Sequence, residues 1–395
     1  MAAADSGADF CDAQARLYPD LAAKYAEFGD LYARKLWHQL TERLRAFVAD
    51  PDCVRAGGRN MQELFRSFVA TLEERIDQLS LAVIVVAVSE HFYPSRPFLA
   101  GELDDAAGFL TTYTEKRGRM GEAAYLVVLM GMASVRLKGG EEDVCKGLIA
   151  EGQKVLDKLD GADAVVYSAF YRARTEYHKA RGPAADFYET ALRFLAYTPL
   201  SSLSSAAQHT LAQDMALAAL VGEGVYNFGE VVAHPVLASL TGTPEAWLAA
   251  LLEAFHHGDI DGFNSIVASN RAAYSAQPAL VAHDDLVKQK VALLCLMEMA
   301  AKREPSDRRI KFADIAAETR LGTEEVEWLL MSAMQLELIK GTIDEVEQEV
   351  NVTYVRPRVL DSSQIETLRG KIATWGSKTH ETMLFVEDHT RELFA

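Results

Sequence analysis

Cysteine is scarce in this sequence, and the spacing of the few cysteines excludes the common cysteine-based scaffolds. The chain of 395 residues holds four, Cys11, Cys53, Cys145 and Cys295, and no two of them form a Cys-x-x-Cys pair. A disulfide framework or a zinc ribbon is therefore not expected, and a reducing compartment is the simpler setting. Each cysteine is predicted to be a core residue rather than a nucleophile.

Long apolar runs are also missing. The longest strongly apolar run covers residues 81–88, whereas a helix needs roughly 20 apolar residues to span a bilayer. Residues 1–10 lack the basic start and the apolar core of a secretory signal. We therefore expect no membrane partner, and we expect residues 81–88 to form a buried helix or strand.

Positive charge is in the minority. The 40 lysines and arginines face 57 aspartates and glutamates, which gives a net charge of -17. Nucleic acids and anionic membranes attract basic surfaces, so neither is expected as the main partner. Apolar residues at 49% and charged residues at 25% indicate a globular chain, and its length predicts two or three subregions.

Motifs for catalysis and metal binding are missing too. The sequence contains neither a G-x-S-x-G turn nor a phosphate-binding P-loop. His380 and Glu381 begin like a zinc-protease helix, but Leu384 stands where the second histidine is required. His256 and His257 are adjacent, so they point to different sides of a helix and are predicted to be surface residues. We predict no catalytic residue, no cofactor and no metal site.

The stretch GEGVYNFGEVVAHPVL, residues 222–237, is the nearest thing to a glycine-rich phosphate loop. Its glycines fit neither the dinucleotide fingerprint nor the P-loop, and the residues before it have helical rather than strand spacing. Gly222 and Gly224 are therefore predicted to end a helix. Pro235 disfavours helical geometry at His234, which indicates a short ordered connector.

Up to about residue 300 the sequence has the periodicity of helices. Apolar residues recur every three or four positions in residues 34–48 and 61–79, and residues 122–137 are apolar nearly all round, as in a buried helix. Further helices are predicted at 163–182, 184–197 and 244–259, with another ending near Lys302. Helices in pairs with short breaks predict an irregular α-solenoid.

After Pro305 the pattern changes to that of a winged helix. A short helix at 311–319 is followed by a turn at 320–322, a helix at 323–337 that Thr323 can cap, and strands at 338–344 and 350–355. The two strands offer a sheet edge, and edges invite pairing with another chain. We predict an interface here, with Val350, Val352 and Tyr354 alternating on one face.

Winged helices often bind DNA, but this one is acidic where DNA would lie. The second helix would enter the major groove, yet it carries four glutamates and no lysine or arginine. The wing at 344–349 carries four carboxylates and again no basic residue. A protein-binding winged helix is therefore predicted.

The last segment has the spacing of a coiled-coil seam. From Ile365 to Trp375, apolar residues follow one another at intervals of three, four and three positions. The stripe continues less regularly to Met383 and Val386. A helix of about 30 residues would be roughly 45 Å long. Two interpretations stay open, packing back on its own chain or joining a bundle of partner helices. We predict the second, with contacts through Ile365, Leu368, Ile372, Trp375, Met383 and Val386.

Four stretches then resemble one known family. Residues 17–41, 222–237, 293–300 and 340–360 are similar to the subunit 13 family of the 26S proteasome lid, whose members carry a PCI domain. The most specific parts are YNFGE followed by HP, and IDEV followed by TYV and PRVL. The resemblance covers nearly the whole chain in the same order.

The resemblance implies a mainly α architecture and a role in assembly. It implies a helical-repeat arm at 1–165, the helical part of a PCI module at 166–303, a winged helix at 304–358 and a C-terminal bundle helix at 360–395. In the family, winged helices of lid subunits pair side by side, and their C-terminal helices gather into one bundle. The expected function is a non-catalytic lid scaffold in the cytoplasm and nucleus that contacts the proteasome base and core only indirectly. A PCI scaffold of the signalosome or of the initiation factor 3 complex is the alternative.

Overall fold

The computed structural model describes residues 5–50, 58–90, 100–303, 308–359 and 362–389. The chain divides into two compact units, Met1–Ser202 and Leu203–Ala395. Helical hairpins, a small antiparallel sheet and a long C-terminal helix confirm the predicted mainly α fold class. The boundaries of the four predicted segments stay a prediction, and Cys53 lies outside the described residues.

The first unit consists of helices that pack as neighbouring pairs, α1 with α2, α7 with α8, and α9 with α10. This pairing agrees with the predicted helix pairs of an irregular α-solenoid. The helices are α1 (Asp5–Leu17), α2 (Ala22–Ala33), α3 (Trp37–Ala49), α4 (Gly58–Ser67), α5 (Gln78–Ser89), α6 (Ala100–Thr114), α7 (Arg117–Lys138), α8 (Glu142–Leu156), α9 (Ala164–Arg181) and α10 (Ala184–Tyr197).

Helix α7 forms the centre of the first unit. It packs against α5, α6, α8 and α9, and its side chains from Ala124 to Met130 are buried without a break. Within the described ranges it is the one helix long and apolar enough to cross a membrane, but 56% of that window is buried. Its apolar composition is therefore that of a core helix, as predicted. A kink at Gly121, with φ of 79°, separates its first turn from the rest.

The prediction of one helix over residues 61–79 is wrong. Helix α4 ends at Ser67, a 3₁₀ helix covers Val69–Leu72, and α5 begins only at Gln78. Leu64, Phe68 and Leu72 are nevertheless all buried, so apolar spacing alone could not show the break. The side chain of Asp77 accepts a hydrogen bond from the backbone N–H of Ser80 at 2.9 Å. An aspartate at this position is a typical helix cap, and it could have indicated that a new helix begins at Gln78.

The second unit begins with helices that surround α17. Helix α17 packs against α11, α13, α14 and α16, and its side chains from Val291 to Met297 are all buried. The helices are α11 (Ser205–Val221), α12 (Gly229–Val232), α13 (Ala246–His257), α14 (Ile260–Ser269), α15 (Arg271–Ser275), α16 (Pro278–Ala282) and α17 (Asp284–Lys302).

The close packing of α13 on α17 depends on Gly258, and we expect Gly258→Ala to destabilise the second unit by about 2 kcal/mol or more. Gly258 has φ of 65°, which costs a side-chain-bearing residue energy. A Cβ there would lie 2.7 Å from the Cα of Cys295. The measurement is urea unfolding followed by circular dichroism. Gly147→Ala in α8, where a Cβ meets nothing within 4 Å, is the control and should not lower stability.

A winged helix follows, as predicted. It comprises β1 (Arg309–Lys311), α18 (Phe312–Thr319), α19 (Thr323–Gln335), β2 (Ile339–Asp344) and β3 (Glu349–Val355). The strands form an antiparallel sheet in the order β1-β3-β2, and α17 packs against α18, α19 and β3. Strand β1 was not predicted, since three residues are too few to show an alternating pattern.

The start of α19 differs in detail from the prediction. Gly322, not Thr323, is the capping residue, and the carboxylate of Glu325 accepts its backbone N–H at 3.0 Å. Arg320 has φ of 59°, which makes the tight turn between α18 and α19. The glutamate therefore does the capping that the threonine was expected to do.

Helix α20 (Ser362–His389) ends the described chain. Its 28 residues make it about 42 Å long at 1.5 Å per residue. Every one of its side chains from Ile365 to His389 is exposed. In the described structure, α20 therefore contributes no side chain from this range to a core of its own chain.

Candidate interaction surfaces

The apolar stripe of α20 lies open along one side of the helix. Ile365, Leu368, Ile372 and Trp375 are between 45% and 70% exposed. Met383 and Val386 continue the stripe and are also exposed. The described structure therefore does not show the stripe packed back on its own chain, which was the alternative interpretation. Its role as an interface stays a prediction, now with a defined surface.

The far end of α20 carries two further apolar residues that the prediction missed. Leu384 and Phe385 are exposed and lie off the stripe, and the Phe385 ring stacks on His389 with centroids 4.0 Å apart. Together with Met383 and Val386 they make this end apolar on all sides, which favours neighbours on more than one side. In the sequence, the run of four apolar residues at 383–386 could have indicated this wider apolar surface.

The sheet corrects the predicted roles of Val350 and Val352. Both side chains are buried, because β3 is the central strand and this face packs on the helices. They belong to the core and are not available to a partner. Tyr354 is exposed and lies on the opposite face from the two valines.

A bulge explains why the alternation fails between Val352 and Tyr354. Gly341 pairs with Val352, whereas Lys340 pairs with Tyr354, so Thr353 is an extra residue on β3. A Cβ at Gly341 would lie 2.3 Å from the carbonyl oxygen of Asn351, so glycine permits this close pairing.

One of the two edges of the described sheet belongs to β2, and the other belongs to the three-residue strand β1. In the strand order, β2 has β3 on one side and no described strand on the other. Lys340 on this strand is exposed, with its Nζ 5.6 Å from the centre of the Tyr354 ring. An unpaired edge with exposed side chains next to it can accept another polypeptide.

The exposed face of α19 combines apolar and acidic groups. Trp328 is 71% exposed and Met331 is exposed beside it, and Glu324 is exposed one turn earlier. Trp328 borders a shallow groove of about 260 Å³ between α17 and α19. An exposed tryptophan of this kind is frequent in protein interfaces, and sequence reasoning missed it although the tryptophan stands out in an acidic helix.

The wing is ordered by its own acidic side chains. The carboxylate of Asp344 accepts the backbone N–H groups of Val346 and Glu347, both at 3.1 Å. Glu345 and Glu347 are exposed. The helix face and the wing would both repel phosphate groups, which agrees with a protein partner.

Metal binding and thiol chemistry find no support in the described residues. No group of three histidine, cysteine or acidic side chains among them could hold a metal ion. Burial raises the pKa of Cys145 and Cys295 to about 11 and that of Cys11 to about 12, so these thiols stay protonated near neutral pH. The predicted surface position of His256 is wrong, because this residue is buried.

The glycine-rich stretch encloses an ammonium group rather than a phosphate. Helix α11 ends at Val221, and the Nζ of Lys290 donates hydrogen bonds to the carbonyl oxygens of Ala219, Leu220 and Gly222 at 2.9, 3.1 and 2.6 Å. Lys290 is 1% exposed. The prediction that this stretch ends a helix is confirmed. The sequence did not show that a lysine 68 residues later satisfies that helix end.

Aromatic rings and burial set the electrostatics of Lys290. Its Nζ lies 5.8 Å from the ring centre of Tyr226 and 5.7 Å from that of Phe228. Burial lowers the pKa of Lys290 to about 7, and Glu223 opposes the shift. The carbonyl acceptors also favour the charged form. Burial therefore favours the neutral amine of Lys290, whereas hydrogen bonding favours its ammonium form.

Helical hairpins, a winged helix and an exposed terminal helix together are the architecture of the PCI class. The family described as PSD13 N-terminal repeats matches residues 24–252, and the PCI domain family matches residues 267–353.

Relatives extend the match to nearly the full chain. The chain is 38% identical to 26S proteasome non-ATPase regulatory subunit 13 homolog B of Arabidopsis thaliana, over 98% of both sequences. It is 35% identical to 26S proteasome non-ATPase regulatory subunit 13 of Dictyostelium discoideum, over 96% of both. The chain belongs to the family of 26S proteasome non-ATPase regulatory subunit 13.

A more distant relative is named for the initiation factor 3 complex. The chain is 28% identical to eukaryotic translation initiation factor 3 subunit M of Aspergillus clavatus, over 50% of this chain and 41% of that protein. A shorter and weaker match does not favour the alternative of an initiation-factor scaffold.

Proposed function

We propose that this chain is a non-catalytic structural subunit of the lid of the 26S proteasome regulatory particle and supports lid assembly and ubiquitin-dependent protein degradation. The observation that carries the proposal is the exposed stripe of α20, since a helix of this length with an open apolar seam is suited to a bundle. The full-length similarity to regulatory subunits named for the 26S proteasome supports the choice of assembly.

The proposed partners are other lid subunits of the PCI type. They contact the stripe of α20 and the edge of β2, and the proteasome base and core are reached only through them. Fully burying a large apolar side chain stabilises by about 1.5–3 kcal/mol. Ile365, Leu368, Ile372 and Trp375 are 45% to 70% exposed, so burying the exposed part of them offers roughly 3–7 kcal/mol before the cost of association.

The proposal includes no catalysis, no nucleic acid and no membrane as partner, and it places the subunit in the cytoplasm and nucleus. Its acidic winged-helix surface and its buried thiols support a scaffold role.

Affinity purification of the tagged full-length chain from its own cells tests the proposal. Native-gel separation and mass spectrometry should recover lid, base and core-particle subunits with it in stoichiometric amounts. Recovery with signalosome or initiation-factor subunits would replace the proposed assembly, and recovery of the chain alone would refute it.

A further inference from the structure

Two segments of the second unit that are far apart in sequence meet in space. Residues 356–359, here called the strap, follow β3 and end three residues before α20 begins. Val359, at the end of the strap, contacts Asn227 and Gly229 in the glycine-rich stretch. These are parts of the two stretches on which the family resemblance was most specific.

The end of the strap is fastened to the glycine-rich stretch. The backbone N–H of Val359 donates to the side-chain oxygen of Asn227 at 3.3 Å, and the amide nitrogen of Asn227 donates to Glu230 at 2.8 Å. Gly229 leaves room for the strap, because a Cβ there would lie 2.7 Å from the Cβ of Val359 and 3.0 Å from its carbonyl oxygen. Close approach is therefore possible only without a side chain at position 229.

The middle of the strap is fastened by Arg358. Its guanidinium pairs with the carboxylate of Glu298 in α17 and donates to the backbone carbonyl oxygen of His256 in α13 at 3.1 Å. Both charged side chains of this pair are about nine-tenths buried. A charge-assisted pair at this depth has a defined geometry, unlike an exposed one.

The beginning of the strap continues the sheet. The backbone N–H of Arg356 donates to the carbonyl oxygen of Leu338 at 2.8 Å. The strap is therefore held at Arg356, Arg358 and Val359, by the sheet, by α13 and α17, and by the glycine-rich stretch.

We propose that the strap is a latch that fixes the point at which α20 leaves the PCI module, with Asn227, Gly229 and Arg358 as positioning residues. Three Cα–Cα steps separate Val359 from Ser362, so α20 must begin within about 11 Å of the latched residue. The side chains of α20 from Ile365 to His389 are exposed, so none of them is buried in the core of the PCI module. The inference rests on the proposed function, since a fixed exit point helps only if the stripe must meet partner helices.

The latch predicts that releasing the strap impairs assembly without unfolding the chain. When the start of α20 is already fixed, a partner binds without the entropy cost of ordering the helix. When the strap is released, binding has to include that cost. We expect latch variants to enter the assembled particle about 10-fold less efficiently than the wild type, at unchanged helix content.

The first test measures the exit point in the purified full-length chain. Spin labels are introduced through non-natural amino acids at the exposed positions Glu253 and Glu366, and double electron–electron resonance gives the distance distribution. Gly229→Ala should broaden a narrow wild-type distribution. Gly370→Ala in α20, where a Cβ meets nothing within 4 Å, is the matched control and should leave it unchanged. An equally narrow distribution for Gly229→Ala would overturn the latch.

A second variant covers the case in which Gly229→Ala does not fold. Asn227→Ala removes the acceptor of the Val359 N–H without adding bulk, and it should broaden the distribution in a chain with normal circular dichroism. Val359→Gly, added to Gly229→Ala, removes the Val359 Cβ, which is the nearest of the atoms that the new methyl group would meet, and should narrow the distribution again. Failure of both expectations would mean that these contacts do not fix the helix.

The last experiment measures incorporation of the chain into the particle in cells, by quantitative mass spectrometry of purified particles. Wild-type chain absent from the particle would refute the proposed function, while the distance measurements would still decide the latch. Normal incorporation of wild type, Gly229→Ala and Asn227→Ala, with broadened distances in both variants, would overturn the positioning role alone.

Discussion

Ile372→Asp and Trp375→Asp, made together, should reduce incorporation into the assembled particle by about 100-fold or more. Both side chains lie on the open stripe of α20, so an aspartate there costs little in the free chain. In a bundle the same aspartate would be buried without a partner, which costs several kcal/mol, and 1.4 kcal/mol is tenfold in affinity. The measurement is the ratio of tagged variant to endogenous subunit in purified particles.

Ser377→Asp is the control, because it adds an aspartate to the opposite side of the same helix. It should enter the particle like the wild type. The double variant and the control should both melt within about 1 °C of the wild type, since exposed substitutions rarely change stability much. Equal incorporation of the double variant and the control would refute the bundle interface, and a large loss of melting temperature would show that α20 supports the fold itself.

The elements that sequence reasoning located well are those with a strong local signal. Helix α13 ends at His257, where Gly258 indicated a helix end, and α10 begins after the Gly182-Pro183 break. The winged helix followed from a change in apolar period after residue 305. The stripe of α20 could be recognised in the sequence because its apolar residues lie on one side of the helix and few apolar residues stand between them. Each of these patterns lies within a short continuous segment of the sequence.

The features that sequence reasoning missed depend on contacts between distant segments. Lys290 stands in an apolar helix without a local sign that its ammonium reaches the end of α11. Arg358 and Glu298 are 60 residues apart, and their pairing has no periodicity to detect. The bulge at Thr353 shifts the strand by one residue, so the alternation that predicted Tyr354 beside the two valines could not hold.

Lys290→Ala is expected to destabilise the second unit by about 3 kcal/mol or more. The substitution removes the donor to three carbonyl oxygens at the end of α11 and leaves a cavity between Tyr226 and Phe228. Buried acceptors without a donor and a lost side chain both lower the free energy of unfolding. Lys290→Met keeps most of the volume, so it should cost less than Lys290→Ala. Urea unfolding of the three proteins at pH 7.5 gives the comparison, and equal losses for both variants would contradict a volume contribution.

Lys290 should also make stability depend on pH. Its pKa in the folded chain is about 7, below its ordinary value of 10.5, so between these values the unfolded chain binds more protons than the folded one. The free energy of unfolding attributable to Lys290 therefore rises with pH across this window, by up to about 1.4 kcal/mol per pH unit. It is lowest below pH 7, where the lysine is charged in both states. The difference in unfolding free energy between wild type and Lys290→Met, measured from pH 6 to 9.5, should be flat at first and then rise. A difference that is constant over the whole range would show that the carbonyl acceptors keep the ammonium charged, and that burial does not lower its pKa.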